Sequence, residues 1–306
     1  MAQALQDLTE LQQRLASAPA VLVRVASVQG SGPREAGAWM AVFADAVVNT
    51  LGGGHLEFEA IARARQRLAQ AAHGQAAAST PAETLERFAL GPSLGQCCGG
   101  VVHLRVEPVT HIDWPRLQRE LQPRLQPLAL FGGGHVGRAL VHLLATLPFA
   151  VRWIDSRDEI FPARVPAHVA CEHSDPVHDA VADLAPGSQV LIMSFSHAED
   201  LDIVAACLRR QRERRDLPFI GLIGSATKWA TFRHRLEARG FAAEELAQVT
   251  CPIGVPGIAG KQPEVIAVAV TAQLLQQGRH LVDAAPSAAA ADAAIIAPER
   301  PSDSPA

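Results

Sequence analysis

Tyrosine is missing from the 306-residue chain, and lysine nearly so: of 27 basic residues only Lys228 and Lys261 are lysines. Without a phenol, no mechanism can rest on a tyrosine acid or nucleophile, including the Tyr/Lys pair of short-chain dehydrogenases. A mutational bias toward Arg and Ala accounts for the composition, because residue usage bears on class and not on sites. It does not account for where the two lysines stand. Long apolar runs are also missing, since no uncharged stretch reaches the roughly 18 residues that a membrane-spanning helix needs. The start, MAQALQDLTELQQRL, reads as an amphipathic helix with Leu5, Leu8, Leu11 and Leu15 on one stripe, not as a signal peptide.

Concentrated positive charge is scarce. A net charge of −4 and a pI near 6.3 argue against a nucleic-acid binder, which neutralises phosphates with clustered basic residues. The one basic cluster, Arg209, Arg210, Arg212, Arg214 and Arg215, ends a predicted helix and reads as a solvated terminus favoured by the helix dipole. The five cysteines, at 97, 98, 171, 207 and 251, form no CxxC. An odd count without a secretory signal predicts reduced thiols and a cytoplasmic protein.

Two patterns organise the rest. Residues 1–109 read as an α+β domain: the strand VLVRVASV, a hairpin in AWMAVFADAVVNT, a helix after GGGH, then the strands ETLERFAL and VVHLRVEPV, with Val102, Leu104 and Val106 pointing inward. Prolines 108, 115, 123 and 127 mark residues 110–127 as a linker around a short helical segment. Residues 128–280 alternate apolar strands with helices, which predicts a parallel sheet covered on both faces. Residues 281–306, rich in Ala, Pro, Ser and Asp, are expected to be a disordered tail. The fold class is therefore α/β, an α+β domain followed by a Rossmann-like domain.

The strongest motif is GGGHVG at 132–137, a G-x-G-x-x-G that follows an apolar strand and opens a helix. Gly132 would allow the tight turn, Gly134 the approach of a pyrophosphate, and Gly137 close helix–strand packing, with Gly133 and His135 between them. The helix N-terminus would hold the anion. Asp155 ends the next strand 23 residues after Gly132, where a carboxylate can bond ribose hydroxyls, and Arg157 would instead meet a phosphate. GGGHLE at 52–57 offers a second anion cradle through Gly53 and Gly54, with His55 and Glu57 nearby; a turn needing positive φ explains it equally well.

Cys97 and Cys98, in the loop GPSLGQCCGG, suit either a thiolate that meets a soft metal or two unreactive buried thiols. Lys228 in GSATKW and Lys261 in GIAGKQPE both stand in loops beyond predicted strands or at helix starts, where open α/β sheets bind ligands, and either would pair with a phosphate. His197 in SFSHAED ranks below them.

In order along residues 20–278, GSGPREAGAWM, TLGGGHLE, LGPSLGQCCGG, ALFGGGHVG with WIDSR, MSFSHAEDL, GLIGSATKWATFRHRLEARGF and CPIGVPGIAGKQPEVIAVAV resemble the XdhC family, which is related to the CoxI accessory proteins. The resemblance implies a cytoplasmic chaperone, not an enzyme, that binds molybdenum cofactor (Mo-molybdopterin). It also implies that the protein supports sulfuration of that cofactor by a cysteine desulfurase and insertion into xanthine dehydrogenase, with a homodimer and a bound nucleotide as open questions. On this expectation one glycine loop holds the pterin phosphate, the lysines neutralise it, and Cys97 or Cys98 lies near the metal. A nicotinamide-dependent oxidoreductase is the competing expectation.

Overall fold

The computed structural model describes residues 2–73, 83–90 and 100–284, with side chains to residue 277. Two compact units divide between Pro123 and Arg124.

In the first unit the elements run α1 (Ala2–Leu15), β1 (Ala20–Gln29), β2 (Trp39–Val42), β3 (Val47–Val48), α2 (Gly54–Ala72), β4 (Thr84–Ala89), β5 (Val101–Val109) and α3 (Trp114–Leu121). They build an antiparallel sheet ordered β3-β2-β1-β5-β4. Alternation along β1 gives the sheet two buried faces. Val21, Val23 and Val25 join Val102, Leu104 and Val106 beneath Leu56, Ala60 and Ala64 of α2. Ala20 and Leu22 face the other way, onto Leu8, Leu11 and Leu15 of α1 and Leu117 and Leu121 of α3.

The expected linker over 110–127 is therefore mostly something else. α3 supplies part of the second core layer, and β6 already begins at Gln126. Pro115 stands in the first turn of α3, where its missing N–H costs nothing, so this proline starts a helix. The buried carboxylate of Glu107 holds the layer to the sheet by accepting from Arg24 at 2.8 Å and Arg116 at 2.9 Å.

The second unit runs β6 (Gln126–Phe131), α4 (His135–Leu144), β7 (Phe149–Asp155), β8 (Val169–His173), β9 (Gln189–Ile192), α5 (His197–Arg214), β10 (Phe219–Leu222), α6 (Ala226–Ala238), α7 (Ala243–Leu246), β11 (Val249–Thr250) and α8 (Pro263–Ala284). The sheet is parallel throughout and ordered β11-β10-β9-β6-β7-β8. Leu128, Leu130, Val151, Trp153 and Leu191 pack under α4 and α8 on one face. Ala129, Phe131, Val190 and Ile192 pack under α5 and α6 on the other.

Because the chain moves outward from β6 to β8 and then returns to β9, strand order reverses between β6 and β9. The loops after those strands border the crevice where such sheets bind ligands. Between β8 and β9 the crossover is a single stretch of tight 3-10 turns, Val177–Asp183, against which Arg210 of α5 is buried. Arg210 donates to the carbonyls of Val181 at 2.8 Å and Leu184 at 2.7 Å and forms a bidentate pair with Asp216 at 2.9 and 2.6 Å. One member of the arginine run, expected to be solvated, is thus a structural clamp. The expected tail lies outside the described residues from 285 onward, and the last helix extends to Ala284.

Candidate functional site

The three motif glycines after β6 answer to three different constraints. At Gly132, φ is +124° and a Cβ would stand 2.0 Å from the backbone oxygen of Met193, so the loops after β6 and β9 touch only because no side chain intervenes. At Gly137 a Cβ would stand 2.1 Å from the carbonyl oxygen of Gly132, which fixes how closely α4 approaches its own strand. Gly134 differs from both. It caps α4 with φ −68° and ψ −171°, open to any residue, and nothing lies within 4 Å of where its Cβ would be. Beyond it, the first N–H groups of α4 have no intrahelical acceptor.

The loop is braced from β7. Trp153 Nε1 donates to the Gly132 carbonyl at 3.0 Å, and the Gly133 N–H donates to Asp155 Oδ2 at 2.6 Å. Asp155, 1% exposed, also accepts from the backbone N–H of Arg157 at 2.9 Å and from its guanidinium at 2.8 and 3.0 Å. Burial pushes this carboxyl up, but the Arg157 side chain and the two backbone N–H groups outweigh it and hold the carboxyl below its usual range. The expected ribose contact would require Asp155 to give up bonds it already makes.

Across the crevice, the loop after β9 is held by two carboxylates that the motif reading overlooked. Glu199 of α5 accepts from the Phe195 N–H at 3.1 Å and from Ser156 Oγ at 2.7 Å, which ties the loops after β7 and β9 together. Asp200 accepts from Ser194 N–H at 2.8 Å and Ser194 Oγ at 2.7 Å. The sequence held one signal for this, the S-x-x-E spacing of Ser196 and Glu199, and Ser196 Oγ does accept from the Glu199 N–H at 3.2 Å.

Lys228 belongs to this bracing and not to the open surface. Its ammonium donates to Asp200 Oδ2 at 2.6 Å and to the Ile223 carbonyl at 2.8 Å, and its side chain is 12% exposed. Gly224 leaves the space, since a Cβ there would stand 2.7 Å from Lys228 Cδ. Lys261 is exposed in the loop that leads into α8. Two and three residues further on, Pro263 and Glu264 line a groove of about 420 Å³ shared with His135, Arg138 and His142 of α4. His197 is exposed at the start of α5, its ring edge-on to Phe232 at 6.3 Å.

In the first unit, Gly52, Gly53 and Gly54 all have positive φ, so the turn itself requires glycine. The anion in its cradle is the chain's own. Glu57 Oε2 accepts from the Leu51 N–H at 2.7 Å, the Gly53 N–H at 3.0 Å and the Thr50 hydroxyl. His55 is exposed beside Phe58.

Cys97 and Cys98 lie outside the described residues. Of the described cysteines, Cys171 is exposed, Cys251 is half-buried and Cys207 is buried, its thiol pushed up to about 12 by burial. Among the described residues no three His, Cys, Asp or Glu side chains converge as a metal site, and no helix is long and apolar enough to cross a membrane.

A parallel sheet with a reversal of strand order, a glycine loop braced from the second strand and an open helix N-terminus define a Rossmann-type domain, here joined to an α+β unit. Two family models match the chain, the XdhC and CoxI family over residues 14–77 and the XdhC Rossmann domain over residues 128–274. The chain belongs to the XdhC family. A solved structure from Bacillus halodurans, described as a xanthine dehydrogenase, superposes with a TM-score of 0.71 over 92% of this chain and 98% of that one; at 20% identity it shows the shared fold. Uncharacterized protein YqeB of Escherichia coli K12 is 28% identical over 267 residues, 84% of this chain and 43% of its own length. The chain thus spans less than half of that relative.

Proposed function

We propose that this protein serves the maturation of a molybdenum hydroxylase, with xanthine dehydrogenase as the preferred client, by carrying molybdenum cofactor without using it. In this reading it presents the cofactor for sulfuration by a cysteine desulfurase and for insertion into the client, in the cytoplasm. Membership of the XdhC family supports the maturation role.

The observation that carries the ligand assignment is Gly134. No backbone angle and no neighbouring atom requires glycine there, yet a side chain would fill the approach to the N-terminus of α4. Glycine is also a good N-cap residue, and its bare Cα leaves the N-terminus of α4 accessible, which fits a phosphate. When bound, the cofactor offers that phosphate at one end and a dithiolene-held metal at the other. The unpaired N–H groups at the start of α4 would receive the phosphate, with Arg138 of α4 in the α4–α8 groove and the exposed Lys261 adding positive charge. Lys228 would act indirectly, by holding the β9 loop. Cys97 and Cys98 of the first unit enter the proposal separately, as thiols suited to a soft metal. The dehydrogenase reading is weakened by Asp155, whose carboxylate already accepts four bonds within the chain.

The test is to oxidise the pterin that co-purifies with the protein to its fluorescent product and to assay molybdenum in the same sample. Both should be present in the unsubstituted protein and lost in Gly134→Val. Retained NAD with neither pterin nor metal would overturn the assignment. Normal loading of xanthine dehydrogenase by the Cys97→Ala/Cys98→Ala double variant would remove the thiols from it.

A further inference from the structure

Phe195 stands where strand order reverses, two residues after Met193, whose backbone abuts Gly132. It is 66% exposed, although its loop is tied by several hydrogen bonds. Its own N–H is held by Glu199, and Ser194 before it is held twice by Asp200, which is in turn fixed by Lys228. An exposed aromatic ring on so constrained a loop is a presented ring.

The Arg157 guanidinium lies 4.4 Å from the ring centroid. Arg157 is itself oriented by two side-chain bonds to Asp155, and Asp155 by the Gly133 N–H. A continuous set of contacts therefore runs from the glycine loop through Asp155 and Arg157 to Phe195. A planar cation and a planar ring are thus held beside a phosphate cradle. Both are surfaces on which flat heterocycles stack, and the guanidinium also attracts the electron-rich carbonyls and ring nitrogens of such heterocycles.

We propose that Phe195 and Arg157 form a stacking platform for the fused heteroaromatic ring of a phosphate-bearing ligand whose phosphate sits at Gly134. The proposal rests on the phosphate reading of the glycine loop and adds a subsite to it. Pterins and purines share the required chemistry, so the ring is specified as planar, fused and nitrogen-rich.

Binding of three compounds to the full chain tests it: neopterin monophosphate, adenosine monophosphate, and ribose 5-phosphate, which has the phosphate but no heterocycle. Phe195→Ala should weaken whichever ring-bearing compound binds by about tenfold, the scale of an aromatic–base stack. It should leave ribose 5-phosphate unchanged, and Phe195→Trp should restore the loss. Preference for neopterin monophosphate assigns the platform to a pterin, and preference for adenosine monophosphate assigns it to a nucleotide. Equal affinity of Phe195→Ala and the unsubstituted chain for both rings would overturn the proposal. So would an equal loss of ribose 5-phosphate, or no binding of either ring by the unsubstituted chain. Gly134→Val separates the two readings. If it leaves all three phosphates bound while Phe195→Ala still lowers ring affinity, the cradle assignment fails and the platform stands.

Discussion

Substituting the three motif glycines one at a time should separate folding from binding. At Gly137, an alanine Cβ would have to recede from 2.1 Å to ordinary contact with the Gly132 carbonyl, so helix and strand must move apart. Overpacking of that kind costs about 1–3 kcal/mol, occasionally more. Gly132→Ala meets a similar collision at 2.0 Å together with a φ of +124°, a strained angle that adds about 1–3 kcal/mol. Gly134→Ala meets no atom and keeps φ at −68°. It loses a good N-cap residue but also lowers the entropy of the unfolded chain, and these terms nearly cancel to within about 1 kcal/mol. For a unit of this size 1 kcal/mol corresponds to about 2–4 °C in Tm. Gly134→Ala and Gly134→Val should therefore melt within about 4 °C of the unsubstituted protein and lose phosphate-ligand binding. Gly132→Ala and Gly137→Ala should melt clearly lower, the first by about 6 °C or more. Thermal unfolding beside titration with neopterin monophosphate reads both quantities. A Gly134→Val protein that melts as low as Gly137→Ala would show that the space around Gly134 is not open. One that melts normally and binds normally would show that its openness serves no ligand.

The two lysines should part company: Lys228→Met strands the buried Asp200 carboxylate and should cost about 3 kcal/mol in denaturant unfolding. Lys228→Arg should recover only part of this, because a planar guanidinium replaces a compact ammonium beside Asp200, whereas Lys261→Ala should leave stability unchanged within about 0.5 kcal/mol and weaken phosphate binding. Arg210→Met should cost about 3 kcal/mol, by unpairing Asp216 and two buried carbonyls, while Arg209→Met, on the exposed side of the same run, should be nearly silent in the same unfolding assay. The Arg212 side chain and the Ala242 N–H hold the partly exposed Glu245 carboxyl down to about 2. Because the folded value lies below the unfolded one of about 4.3, its contribution is complete above pH ~4.3 and is lost as pH falls through about 2. Carboxyl carbon NMR should show this low midpoint rising in Arg212→Gln, and an unmoved midpoint would exclude the pair as its cause.

What could be read from sequence divides along a physical line. Glycine spacing reports steric need, so GGGHVG after an apolar strand identified the β6–α4 junction, and the tight-turn and close-packing roles given to Gly132 and Gly137 match their geometry. Alternation reports burial, so Val102, Leu104 and Val106 face the core as expected. Charge carries no such label. Lys228 reads in sequence as a phosphate partner; its bond to Asp200 is illegible there, because Asp200 is 28 residues away and is met only once α5 and α6 pack. Arg210 was hidden in a run of its own kind, four neighbours of which do not share its inward direction. Prolines were ambiguous in a different way. The same residue type that marks linkers also starts helices, and only burial of Leu117 and Leu121 shows which applied around Pro115. Phe195 had no signal at all, because nothing in SFSHAED says that its phenylalanine points outward.

The carboxylate of Glu57 inside the first glycine loop has a consequence for ligand competition. An anion arriving from solution must displace a rival that is tethered four residues from Gly53 and therefore present at an effective concentration far above that of any free metabolite. Neutralising Glu57 would release the N–H groups of Leu51 and Gly53 and turn the first loop into a receptor in search of an anion.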